Sequence, residues 1–387
     1  MKELRLGIIG LGNMGSAHAG SIVAGNIPRC RLAGVCDLDP EKLVKYPGVY
    51  GCTDSGAFIG SGEVDAVLVA TPHYSHTTIG AAALEAGLHV LVEKPISVHK
   101  ADCERLIAAH RSKKQVFAAM FNQRTDSVFQ KIRSLVKGGE LGKIRRVTWT
   151  ITDWFRSEAY YASGGWRATW AGEGGGVLLN QCPHNLDLYQ WIFGMPCKVR
   201  GFCKLGYHHQ IEVEDDVTAY FEYKDGTSAV FITSTGEAPG ANRLEISAER
   251  GRLVMDGGKL SFTRNEIPMT EFSRTTPESF SRPPVWDVTI PVVQTGEQHN
   301  GILKNFTNAI LDGEKLLSPA AEGIHSVELG NAILMSSMLG ETVELPFASA
   351  RYEKLLKNLI ASSRFKKKTV KKSGAGEDFS KSFLKTN

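Results

Sequence analysis

The chain has 387 residues, 42% of them hydrophobic and 22% charged, with a formal net charge of +4. That length suggests two domains, and the composition is that expected of a soluble globular protein. The longest apolar runs, such as Val67-Leu68-Val69-Ala70, fall far short of the roughly 20 residues that cross a bilayer, so no membrane partner is expected.

Met1-Lys2-Glu3-Leu4-Arg5 carries an acid early and runs straight into a strand-like segment, unlike a signal peptide. Short apolar runs at Leu4–Ile9, Arg31–Cys36, Val64–Ala70, His89–Glu93 and Val116–Met120 read as buried parallel strands. Helical patterns at Asn13–Ala24, from Pro40, at Thr77–Glu85 and at Lys100–Ser112 alternate with them. Such alternation predicts βαβ units and an α/β domain with a doubly wound parallel sheet over residues 1–122.

After residue 122 the pattern changes. A helix is predicted at Asp126–Lys137, then strands at Arg145–Trp154, Val199–Leu205, Val217–Tyr223, Ser228–Thr235, Arg243–Ser247 and Arg252–Met255. Asp225-Gly226 and Asp256-Gly257 supply hairpin turns. Helices at His299–Leu311 and Ala320–Leu339 close this part before Pro346. The expectation for 123–346 is an α+β domain with a mostly antiparallel open sheet, followed by a helix and a basic tail over 347–387. The run Arg364 to Lys372 reads as a solvated terminus, because no aromatic residues interleave with its lysines, and no nucleic-acid partner is expected. Seven cysteines with no paired or zinc-like spacing read as reduced thiols in a cytoplasmic protein without a metal site.

Gly10-Leu11-Gly12-Asn13-Met14-Gly15 follows the first strand and opens a helix, which is the context a dinucleotide-binding turn requires. Gly10 permits the tight turn, Gly12 lets the backbone approach a pyrophosphate, and Gly15 lets helix and strand pack closely. The helix start then offers N–H groups to the phosphates. Asp37 ends the second strand, where an acid accepts from ribose hydroxyls and repels a 2′-phosphate. No arginine follows at once, so NAD is the expected cofactor.

Three further segments are Ala70-Thr71-Pro72-His73-Tyr74-Ser75-His76, Val90-Leu91-Val92-Glu93-Lys94-Pro95, and Gly174-Gly175-Gly176 running through Asn180 and His184 to Asp187. With them in view, the chain resembles the glucose–fructose oxidoreductase / inositol dehydrogenase / MocA family from about residue 4 to 346. The resemblance implies a Rossmann first domain and an enzyme that passes hydride from a secondary alcohol of a sugar or cyclitol to a nicotinamide. It implies that Asn13, Met14, Thr71, Pro72, His76, Glu93 and Lys94 lie against the cofactor, and that Lys94 also contacts the reacting hydroxyl. A partly buried lysine beside a cationic ring is expected to have a lowered pKa, and Pro95 fixes the backbone after it. His184 matches the family's catalytic histidine, whose ordinary pKa of ~6.5 suits proton removal. The family often forms homodimers or homotetramers.

Asn180 departs from the family pattern, which places aspartate there. An amide cannot take up a proton as a carboxylate does, so the proton is assigned to His184 and Lys94, with Asn180 as a substrate-binding amide or as the N-cap of a helix whose first turn holds Pro183. On that helix Asn180, His184 and Asp187 share one face, with Asp187 orienting His184 or binding a hydroxyl. The loop from Trp154 to Trp170 holds three tryptophans, two tyrosines and two arginines and reads as a sugar-binding lid, with Arg156, Trp166 and Arg167 as contacts. His325 is a further candidate. Two other readings stay open: a glycosidase that retains NAD and oxidises its sugar transiently, and a non-catalytic NAD-binding regulator.

Overall fold

Six short apolar segments pair side by side in the computed structural model, which describes residues 3–292 and 296–367. They are β1 (Leu4–Ile9), β2 (Cys30–Cys36), β3 (Tyr50–Cys52), β4 (Ala66–Val69), β5 (His89–Val92) and β6 (Phe117–Ala119), parallel throughout, in the order β3-β2-β1-β4-β5-β6. This is the doubly wound arrangement, whose ligand crevice lies at the carboxyl ends of the central strands. All four residues of β4 are buried, which is why the segment reads as a continuous apolar run. One face of the sheet packs Phe58, Leu84 and Leu106, and the other packs Ile22, Leu303 and Phe306.

The second sheet has nine strands: β7 (Ile144–Ile151), β8 (Lys198–Leu205), β9 (Glu214–Glu222), β10 (Ser228–Ser234), β11 (Asn242–Ala248), β12 (Gly251–Asp256), β13 (Lys259–Asn265), β14 (Val285–Ile290) and β15 (Val343–Glu344). Only β7 and β10 run parallel as neighbours; every other adjacent pair is antiparallel. Val217, Ala219 and Phe221 of β9 point inward while Thr218, Tyr220 and Glu222 are exposed, the period-two signature of a sheet covered on one face. The helices Pro183–Phe193 and Gly323–Leu339 supply that cover.

Sequence patterning missed β3, β13, β14 and β15. It also placed the helix near residues 299–311 with the second sheet. The helix runs from Gln298 to Asp312 and lays Ile302, Leu303 and Phe306 against β1 of the first sheet. Its apolar stripe fits either sheet, and only the path of the chain selects one. After the final helix, Ser349–Ser362, the residues from Lys368 onward, including most of the basic run, lie outside the described residues. Among the described residues no helix is long and apolar enough to cross a membrane.

Candidate active site

The glycine turn between β1 and the helix Asn13–Val23 is shaped by three absent side chains. Gly10 has φ of 96°, and a Cβ there would come within 2.7 Å of the Ala70 carbonyl oxygen. A Cβ on Gly15 would lie 1.8 Å from the Gly10 carbonyl oxygen. Gly12, by contrast, meets nothing within 4 Å, and as the helix N-cap it lends no side-chain acceptor to the first-turn N–H groups. The turn is thus closed on the sheet side and open on the other. That is the cradle a pyrophosphate fits, and the residues present suit a dinucleotide.

This cradle opens into a cavity of about 740 Å³ that runs across the carboxyl ends of the first sheet to the second. Gly10, Gly12, Asn13, Met14 and Asp37 line one end; Thr71, Pro72, His76 and Glu93 line the middle. Lys94, Arg156, Trp166, Arg167, Asn180 and His184 line the other. Gly15 packs behind the turn instead.

Asp37 accepts from Leu11 N–H at 2.7 Å, from Asp39 N–H at 3.0 Å and from Lys42 Nζ at 3.0 Å. Burial works against its charge, but these donors hold its pKa below the usual value. Lys42 Nζ donates to both Asp37 oxygens, so a ribose that bound there would compete with it for them. Asp37→Ala is expected to weaken NAD by roughly 10–100-fold, the worth of hydrogen bonds to a charged acceptor, as titration calorimetry would measure.

Glu93 is buried and accepts from His18 Nε2 at 2.6 Å and from the Lys94 N–H at 3.1 Å. Burial opposes its ionisation, yet the His18 hydrogen bond and the neighbouring His18, His299 and Lys94 side chains hold its pKa at about 2. His299 comes from the helix that returns to the first sheet and packs its ring 5.5 Å from that of His18; burial lowers its pKa to about 4. Neither histidine was singled out by motif.

Lys94 follows β5, and the Lys94–Pro95 bond is cis. Its Nζ donates to the Asn180 main-chain oxygen at 2.7 Å. Burial lowers the Lys94 pKa; Glu93 and Glu173 oppose this, while Arg167 and Arg156 add to it. His184 lies in the first turn of the helix Pro183–Phe193, its Nδ1 buried with no hydrogen-bond partner in the protein. Burial, then the Lys94 charge and His299, push its pKa well below 6.5, so the ring is a neutral base at pH 7.

The helix begins later than the sequence suggested. Its N-cap is Cys182, with no side-chain capping bond, so Asn180 is neither the cap nor on one helical face with His184. The amide instead donates from Nδ2 to Glu173 and accepts from the Tyr160 hydroxyl at 3.3 Å. Asp187 is a second correction. It is fully buried, and Arg124 donates to both its oxygens at 2.7 Å, so it neither orients His184 nor faces the cavity. His325 lines a separate cavity between β7, the 193–197 turn and Pro346, remote from the Lys94 cluster.

The aromatic loop divides in two. Tyr161 and Trp170 are core residues, whereas Trp154, Tyr160 and Trp166 face the cavity. The Arg167 guanidinium stacks 4.6 Å from the Tyr160 ring and 4.7 Å from that of Trp166. Lys367, beyond the last helix, donates to the Arg167 main-chain oxygen and so braces the loop from outside.

The glycine run is held by Glu214 of β9, whose Oε1 accepts from Gly176 N–H at 2.8 Å and Leu178 N–H at 3.1 Å. Its Oε2 is buried without a partner. Burial raises its pKa to about 7 against those N–H donors. The folded state therefore binds a proton that the unfolded chain releases above pH ~4.5, so stability falls as pH rises from there through 7. Glu214→Gln is expected to flatten that slope, giving a relative gain of up to about 3 kcal/mol above pH 7 in urea melts.

Comparison with known proteins gives the same pattern. Residues 4–121 match the GFO/IDH/MocA oxidoreductase family with an NAD-binding Rossmann fold, and residues 129–254 match a GFO/IDH/MocA C-terminal domain. Inositol 2-dehydrogenase of Rhizobium meliloti is 24% identical over 86% of this chain and 96% of its own. Levoglucosan dehydrogenase of Pseudarthrobacter phenanthrenivorans is 24% identical over 90% of this chain and all of its own. The fold is that of the WlbA dehydrogenase from Bordetella pertussis, solved with NADH and UDP-GlcNAcA: the TM-score is 0.74 at 24% identity, over 89% of this chain and 100% of that one. The glycine cradle, the Lys94–His184 cluster and these matches place the chain in the GFO/IDH/MocA family of oxidoreductases, with an NAD-binding Rossmann fold.

Proposed function

We propose that the chain is an NAD-dependent dehydrogenase that oxidises a secondary hydroxyl of a sugar, anhydrosugar, glycoside or cyclitol. The observation that carries this reading is one cavity with a phosphate cradle at one end and a neutral histidine, a buried lysine and an aromatic–arginine wall at the other. The relatives named for inositol and levoglucosan support the polyol class.

Bound NAD supplies the hydride acceptor. Of the chain's own groups, Asp37 orients the adenosine ribose and the first-turn N–H groups hold the pyrophosphate. His184, neutral and enclosed, takes the hydroxyl proton. Lys94 donates a hydrogen bond to the reacting oxygen and shares in the proton transfer. Trp166 and Tyr160 pack on the apolar faces of the ring, and Arg156 and Arg167 donate to its outer oxygens. The exposed face of the second sheet, where Phe202 is 56% and Tyr220 40% exposed, is the surface for a homodimer or homotetramer. Seven free cysteines suit the reducing cytoplasm.

A panel of inositols, anhydrosugars, glucosides and amino sugars, followed by NADH absorbance, tests this reading. One NADH per substrate consumed is the expected result. Cleavage of a glycoside without net NADH would replace it with the transient-oxidation glycosidase, and binding without turnover would replace it with the regulator.

A further inference from the structure

The Glu173 carboxylate is 1% exposed and interacts electrostatically with both Lys94 and Arg167. One oxygen takes the Ala168 N–H at 2.6 Å, aimed by a left-handed backbone at Ala168 (φ 50°), and the other takes the Asn180 side-chain N–H. Both partners are donors, so both oxygens act as acceptors, which favours the ionised form against the burial that raises its pKa. The Asn180 amide is thereby oriented, with Nδ2 toward Glu173 and Oδ1 away from it. Tyr160 imposes the same orientation independently. Its hydroxyl accepts from Arg167 at 2.8 Å and from Gln181 at 3.1 Å, so its own proton goes to Asn180 Oδ1. Lys94 holds the same residue from the other side, through the main-chain oxygen.

We propose that Glu173 is a positioning residue that acts through Asn180: it fixes the amide so that one oxygen lone pair and one N–H remain for a substrate hydroxyl, and it supplies the counter-charge to the Lys94 ammonium. The proposal rests on the dehydrogenase reading above. Glu173 and Asn180 act as one anionic unit, with the charge at 173 and the contact surface at 180. The groups that face this unit are Lys94 after β5, Arg167, Tyr160 and Tyr161 of the loop, Lys367 beyond the last helix, and the second buried carboxyl, Glu214 of β9. Burial raises the Glu173 pKa, and Arg167, the two N–H donors and Lys94 oppose it. A second carboxylate at position 180 would touch the first, and the pair would share a proton.

Competitive labelling of the full-length protein with acetic anhydride across pH, read by peptide mass spectrometry, reports the ionisation of Lys94 without any substrate. Glu173→Gln is expected to make Lys94 roughly tenfold more reactive at a fixed pH below its midpoint, while Asn180→Ala, which keeps the carboxylate, leaves that reactivity within twofold (roughly) of wild type. With a substrate from the panel, Asn180→Asp loses activity, and Glu173→Gln combined with Asn180→Asp recovers it to within a few-fold. An unchanged Lys94 titration in Glu173→Gln, an equal shift in Asn180→Ala, or a double variant no better than Asn180→Asp overturns the proposal. Failure of the dehydrogenase reading shows separately, as absence of NADH formation by the wild type, and leaves the labelling result standing.

Discussion

His184→Ala is expected to lower kcat by roughly 10²–10⁴, the range that a positioned general base contributes, with NAD affinity unchanged. The second observable is the pH profile. Burial, the Lys94 ammonium and His299 hold the imidazole pKa well below 6.5, so the wild-type rate stays flat near neutrality. It falls only as pH drops through that lowered value and the ring becomes charged. In His184→Ala this acid limb disappears. A loss of rate below threefold, or retention of the limb, refutes the assignment. The same shift has a stability consequence of fixed sign. Below about pH 6.5 the unfolded chain binds a proton that the folded ring refuses, so stability declines as pH falls from there.

Arg124→Ala is expected to cost roughly 3–5 kcal/mol of stability, because it strips a buried carboxylate of its partner. Arg124 and Asp187 are both fully enclosed, and Arg124 extends the pair to Glu322 at 2.6 Å. Its guanidinium also lies over the Phe121 and Trp191 rings, so packing is lost with the charge. Urea melts give the first measurement. The kcat/KM of the folded fraction gives the second, and it should stay within a few-fold of wild type. A large kcat loss at unchanged stability would return Asp187 to the catalytic group, from which its geometry removes it.

Asp187 and Asn180 mark where reading the sequence ran ahead of the fold. A helix assumed to start at Asn180 puts 180, 184 and 187 on one face. The chain instead starts its helix at Pro183, after an irregular turn that Glu214 holds from β9. Asp187 then points into the junction with Arg124, some 60 residues earlier in the chain. His325 failed for a related reason: a histidine in a helix is aimed by the packing of that helix, and this one faces a different cavity. Glu173 stood in plain view before the glycine run, yet a lone glutamate in a loop carries no period or spacing that separates a site residue from a solvated one.

By itself the sequence determined the parallel sheet and the glycine cradle with Asp37, because each is encoded within a few residues by periodicity or by a turn that only glycine permits. Lys94 and His184 were legible only through the resemblance of their motifs to those of a family. The tertiary structure decided what no local window holds. It set which sheet the helix Gln298–Asp312 covers, bringing His299 beside His18, and it paired Asp187 with Arg124. It also joined Asn180 to Glu173 and Tyr160. Those choices depend on hydrogen bonds and burial between segments far apart in the chain, whose directions are fixed only once both sheets have closed around the cavity.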